Sequence, residues 1–397
     1  MGIVLTTGEQ MEIVVHDDAA GLAKLFTLPI AKRLGALAQM RGVSEFDEPA
    51  MKQLTQIHER GDGFRVGVDD PRYPVALARL VKADVWGQLR RDLARAWEYQ
   101  RAVLPGIHHP ETVDVELTLG YPDDPLFIER TLGYYGMGSK PGSIWMVAWP
   151  TDYNVTRIGA CGVHELAHNL RTPNVESHFD LAEWVIQEGL AEVFTVEVCG
   201  PGSTGAWYAP VAGKVLEATW QKVTAAFGTG RSFPDWTPYV LGDEVAGRMG
   251  LRPVGVPHMG GYAVGRAIVE RYLAATGLKA AQAIVRPTAE ILASLGLAPK
   301  DQICAGSDPG RGRDRKRVHG GRRRGDLPAH SRALLCRRRG RCAAPAPVPR
   351  RGPVKRHREA HALPDPVLGW AFDVQPAKRP SAVEAAASAV RDRPGRA

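Results

Sequence analysis

Apolar and polar positions alternate over Glu111–Leu119, with Val113, Val115, Leu117 and Leu119 against Asp114, Glu116 and Thr118. A period of two places one face of a strand on a core. Met11 to Val15 also reads as a strand, and Ser143 to Trp149 (SIWMVAW) as another, rich in aromatic and branched residues. Tyr134 to Gly142 is glycine-rich and polar and reads as a loop. Helical spacing runs from about Ile30 to Glu59, interrupted near Gly42, and from about Pro74 to Leu104. Three further helices are expected. One starts at Asn154 as N-cap and reaches Arg171, where Thr172-Pro173 stops it. The second spans about Phe179 to Val198 and ends at Cys199-Gly200-Pro201-Gly202. The third spans about Met259 to Thr276 and ends at Gly277, and a short helix over Pro287–Leu295 closes the body.

Beyond about Lys300 the pattern stops. Residues 301–397 hold 23 Lys+Arg against 9 Asp+Glu, whereas the first 300 hold 28 against 34. The basic balance of the chain therefore describes its tail, and the body is mildly acidic. Three segments follow: a mainly helical part over 1–109, a chemistry-bearing part over 110–298, and an Arg/Pro/Ala/Gly-rich segment over 299–397. The last has too little apolar periodicity to offset chain entropy and is expected to be disordered. Three readings of it stay open. It is a solvated tail, a nucleic-acid contact resting on charge alone, or a frameshift product, since AEILASLG breaks off abruptly into arginine-rich text. The opening residues lack the pattern of a signal peptide, and no apolar run reaches membrane-spanning length. Five cysteines without a close pair fit a reducing cytoplasm. A cytoplasmic chain with no membrane partner is expected.

The chemistry is concentrated in His164-Glu165-Leu166-Ala167-His168. On a helix, side chains four apart share a face, so His164 and His168 can present two imidazole nitrogens to one ion, classically zinc. Glu165 is turned toward the ion's open side, where a carboxylate can take a proton from water and return it to a leaving amine. A catalytic zinc needs a third protein ligand. Glu188 is the candidate, in an otherwise apolar helical run with Leu181, Trp184, Val185 and Leu190, and it is preferred over Glu192. Glu192, one turn on, is placed to steady a ligand histidine. Gly189 costs helix stability, so it points to close packing there. Other histidines have blander readings: His108 and His109 in a turn, and His178 flanking the Glu188 helix. Cys161 reads as a small buried residue.

HELAH followed after nineteen residues by EGLAE resembles the gluzincin pattern, including thermolysin-like enzymes, in which an acidic residue also follows the ligand Glu by four positions. More narrowly, the body is similar to a bacterial family of predicted Zn-dependent proteases. Its members share both helices and a later glycine-tyrosine-glycine helix, here Gly261-Tyr262-Ala263-Val264-Gly265. The resemblance covers roughly residues 110–297. It implies an α+β, zincin-like fold: a small mixed sheet, an HExxH active-site helix and a mostly helical remainder. It also implies Zn2+ as cofactor, a peptide or protein substrate, and hydrolysis by a metal-activated water. An oxyanion donor is required. Tyr262 is favoured for it by the resemblance, with His258 as the other candidate. Ser143–Trp149 is expected to be the edge strand that pairs with substrate. The rival reading is a non-catalytic zinc module whose basic tail contacts nucleic acid.

Overall fold

A computed structural model of the chain describes residues 5–6, 10–44, 46–176, 180–205, 208, 210–229 and 234–297. The strands are β1 (Leu5–Thr6), β2 (Glu12–Val15), β3 (His109–Pro110), β4 (Thr112–Leu119), β5 (Tyr134–Met137) and β6 (Ser143–Ala148). β1 pairs with β3, and the other four form a mixed sheet in the order β2-β4-β6-β5. β2, β4 and β6 are parallel and β5 is antiparallel to β6. Helices α1 (Ala19–Phe26), α2 (Ile30–Met40), α3 (Glu48–Glu59), α4 (Arg72–Lys82) and α5 (Val85–Val103) lie between β2 and β3 in sequence. After the sheet come α6 (Ile158–Arg171), α7 (Leu181–Cys199), α8 (Gly213–Ala225), α9 (Thr237–Val240) and α10 (Asp243–Arg248). Then follow α11 (Gly260–Thr276), α12 (Ala280–Ala283) and α13 (Thr288–Ser294). The fold is α+β with a small mixed sheet.

The alternating segment is central because both of its faces find partners. Val113, Val115, Leu117 and Leu119 join Ile144 and Met146 of β6 in one core with Leu89 and Leu93 of α5 and Val163 and Leu166 of α6. The polar positions Thr112, Asp114 and Glu116 are less buried than the apolar ones, as alternation suggests, and charges on that face are paired. Arg41 lies 3.0 Å from Glu116 and 2.8 Å from Asp18, and the Trp145 indole N–H donates to the Thr118 hydroxyl at 3.0 Å. Buried charges persist only when paired in this way. A second core joins α7 to α8, α9, α10, α11 and α13 through residues such as Val185, Ile186, Val240, Val264 and Ile268. Helix α7 lies between the two cores, since its Ala191 and Phe194 belong to the first. It is therefore buried all round rather than along one stripe.

Several expectations need correction. The segment read as a loop over 134–142 begins with β5, whose register Tyr135↔Val147 and Gly136↔Met146 is supplied by pairing with β6. Cross-strand hydrogen bonds outweigh the weak strand preference of glycine there. Consequently β6, the expected edge strand, is interior, and β5 is the sheet's edge. Helix α6 starts at Ile158, not Asn154. The Asn154 amide instead donates to the carbonyls of Leu132 and Trp149, at 2.9 and 2.8 Å. The Pro74–Leu104 pattern divides at Asp84, which has φ of 51°. Helices α1, α8, α9, α10 and α12 were not legible. The tail over 299–397, with its three readings, lies outside the described residues, as does His178. No helix among the described residues is long and apolar enough to cross a membrane.

Candidate metal centre

Two glycines bring the relevant helices together. A Cβ on Gly189 of α7 would sit 2.2 Å from the Gly265 carbonyl carbon of α11, and one on Gly265 would sit 2.0 Å from the Val185 oxygen. The helices thus cross backbone to backbone, the close packing that Gly189 suggested. On the other side, Gly162 of α6 faces Leu89 of α5, where a Cβ would meet the leucine at 2.7 Å. A buried ion pair joins the α6 C-terminus to α7: Arg171 reaches Glu183 at 2.8 Å and also donates to the carbonyls of Ile284 and Arg286.

This scaffold converges His164, His168 and Glu188. Their candidate ligand atoms all lie within 4.8 Å of one another. Glu188 Oε2 is 3.1 Å from His164 Nε2 and 3.3 Å from His168 Nε2. Burial alone would raise the Glu188 carboxyl, but the two imidazoles outweigh it and hold the carboxyl well below its usual range. Burial likewise opposes charge on His164. The hydrogen bonds to Glu188 and Glu192 prevail, and its pKa is pushed up to about 10. The three groups favour positive charge among them. Two imidazole nitrogens and one carboxylate oxygen are a donor set suited to zinc, so the residues present fit that ion. The second His164 nitrogen, Nδ1, is 3.8 Å from Glu192 Oε2. Glu192 is itself held by the Gly205 amide at 3.1 Å and by Arg266 at 3.8 Å.

Glu165 is 5% exposed and lies under the edge strand. A Cβ at Gly136 would be 2.5 Å from Glu165 Cγ, and one at Gly138 would be 2.2 Å from the Glu165 carbonyl oxygen. Only glycine lets β5 and the turn after it lie this close to α6. Burial raises the Glu165 carboxyl above its ordinary range, against the pull of His164 and His168 and a hydrogen bond from the Gly138 amide. Tyr262, near the start of α11, directs its hydroxyl to Glu188, and burial raises the phenol well above its usual range. Glu188 and Glu165 act on it in the same direction. The charged groups acting on His258 are Glu244 and Arg130, and burial lowers its pKa. The structure thus brings His164, Glu165, His168, Glu188, Glu192 and Tyr262 together, while His258 faces a different set of charges.

Sequence reasoning missed Gly136, Gly138, Asn169 and Arg266. Only Asn169 left a signal, since asparagine is a poor interior residue for a helix. Cys161 is outside the three-residue metal cluster, and burial raises its thiol well above the usual range.

The family described as "Predicted Zn-dependent protease (DUF2268)" matches residues 103–293. The "Uncharacterized protein YjfC" of Bacillus subtilis (strain 168) is 30% identical over 156 residues, 38% of this chain and 52% of the Bacillus protein. The chain thus spans about half the length of that relative. No solved structure matches the chain.

Proposed function

We propose that this chain, which over residues 103–293 belongs to the family of predicted Zn-dependent proteases, is a zinc-dependent peptidase of zincin-like fold. The observation that carries the reading is one cluster: His164, His168 and Glu188 within ligand distance of each other, with the buried Glu165 carboxyl beside them. His164, His168 and Glu188 would hold the ion. Bound there, zinc supplies Lewis-acid polarisation of a carbonyl and activation of a water molecule. Glu165 accepts the proton of the attacking water at its carboxylate and delivers it to the departing amine; its raised pKa suits both roles. Tyr262 donates its hydroxyl hydrogen to the oxygen on which negative charge develops. Glu192 holds the His164 ring by its other nitrogen. The substrate is a peptide in extended form, added beside β5, the sheet's edge strand. The basic tail is assigned no part in this chemistry.

The test is Glu165→Gln in the full chain, with zinc measured by elemental analysis and hydrolysis followed on a mixture of unstructured peptides. The expected result is about one zinc per chain in both proteins and loss of hydrolysis in the variant alone. Wild type that binds zinc and cleaves nothing would favour a non-catalytic zinc module. Full activity in the variant would remove Glu165 as the base.

A further inference from the structure

The residue that follows the last histidine of the motif points away from the metal cluster, and its contacts are unusually complete. Asn169 is 0% exposed in the last turn of α6. A buried amide there is costly unless every polar atom is satisfied. The two hydrogens of its Nδ2 are shared among the carbonyls of Gly138 at 2.6 Å, Ser143 at 2.8 Å and Lys140 at 3.1 Å. Its Oδ1 accepts from the Gly142 amide at 2.7 Å. Three of the partners belong to the turn that joins β5 to β6, and the fourth, Ser143, is the first residue of β6. Three residues on, at the end of α6, the Thr172 hydroxyl has two acceptors at 3.0 Å, the Ser139 carbonyl of the same turn and the His168 carbonyl. The turn contains Pro141 and a Gly142 at φ of +83°, and its backbone is closed by the Ser143 amide donating to the Lys140 carbonyl at 3.1 Å. Gly138, the first residue that Asn169 grips, is also the residue whose amide donates to Glu165.

We propose that Asn169 is a positioning residue of the peptidase site, fastening the 138–143 turn so that Gly138 and the edge of β5 stay fixed over Glu165. The proposal rests on the peptidase reading given above. Asn169 touches neither the three metal-binding side chains nor the substrate position. It acts through the turn, by setting where the general base sits and where an extended peptide lies relative to it. A purely structural asparagine would lower stability and the active fraction together. A positioning one lowers turnover in protein that remains folded and zinc-loaded.

The experiment is Asn169→Ala in the full chain, with four readouts: melting temperature, zinc content, kcat and KM on a cleaved peptide, and amide hydrogen exchange over residues 134–143. The expected result is a folded variant with wild-type zinc content, faster exchange confined to that segment, and kcat lowered about 100-fold, the cost of misplacing a reacting group by about 1 Å. Wild-type kcat despite lost protection in the turn would overturn the proposal, as would a loss of activity that only follows the folded fraction. An inactive, zinc-loaded wild type would instead remove the peptidase reading, and this proposal with it. If the alanine variant does not fold, Thr172→Val at the surface removes the contact with Ser139, together with the hydroxyl's contact with the His168 carbonyl. It is then expected to lower kcat about 3-fold at full zinc content, and an unchanged kcat would count against the proposal.

Discussion

Replacing Gly265 by alanine tests the geometry on which the centre depends, because two opposing effects decide its sign. Alanine favours an interior helical position over glycine by about 1 kcal/mol. If α11 were free at this point, the substitution would stabilise the protein. Here the new methyl would lie 2.0 Å from the Val185 oxygen and 3.0 Å from its carbonyl carbon. Both are backbone atoms, which cannot rotate aside. Restoring ordinary contact requires α11 to withdraw from α7 by about 1 Å, and overpacking of this kind costs roughly 1–3 kcal/mol or more. The net expectation is destabilisation of up to about 2 kcal/mol, or up to ~6 °C in melting temperature for a body of this size. Gly35 of α2 serves as the control, since a Cβ there meets nothing within 4 Å. Gly35→Ala is expected to raise the melting temperature by ~1–3 °C. Thermal unfolding of both full-length variants, followed by circular dichroism, decides the matter. A rise in melting temperature for Gly265→Ala comparable to that of Gly35→Ala would refute the backbone-to-backbone crossing. It would also undermine the placement of Tyr262 one turn earlier on the same helix.

Two further outcomes depend on charge. His164 is pushed up to about 10 without metal, so zinc must displace its proton at neutral pH, whereas Glu188 is already ionised. Zinc affinity should rise with pH until about 10, with about one proton released per ion at pH 7.5. Calorimetry in buffers of different protonation enthalpy measures this, and zero release would contradict a charged His164. The sign for folding is the reverse: a raised imidazole pKa stabilises the metal-free chain below about 6.5, and that contribution is lost as pH climbs through about 10. Asp62 provides the second outcome. Burial raises its carboxyl to about 6, against a hydrogen bond from Tyr135 at 2.7 Å. Its protonated form is favoured in the fold, so wild-type stability falls as pH rises from 3.8 through about 6. Asp62→Asn cannot ionise and still offers Tyr135 an acceptor. Its stability relative to wild type should therefore be greater at pH 7.5 than at pH 4 by roughly 2 kcal/mol. A pH-independent difference in urea midpoints would show that Asp62 does not titrate there.

The chemistry of this protein was legible in one dimension because a helix converts spacing into geometry. A spacing of four positions from His164 to His168 fixes their common face in any α-helix, and burying Glu188 in an apolar helix demands a cationic partner whatever the fold. The same holds for β4, whose alternation is a local property, and for the close packing announced by Gly189. What the sequence did not contain was the choice among partners. That β5 rather than β6 forms the edge depends on which strand β6 meets on its far side, a matter of long-range pairing that no local propensity encodes. The charge of Glu116 on the polar face of β4 is paired because Arg41, distant in sequence, reaches it. Tyr262 was preferred to His258 on the family resemblance alone, with no contact to support the choice. Only the crossing of α11 on α7 at Gly265 turned one toward Glu188 and left the other beside Arg130 and Glu244. Asn169 was an oddity in a helix until the turn it grips came into place. Residue spacing determined the chemistry, and contacts between elements far apart in sequence decided where that chemistry is aimed.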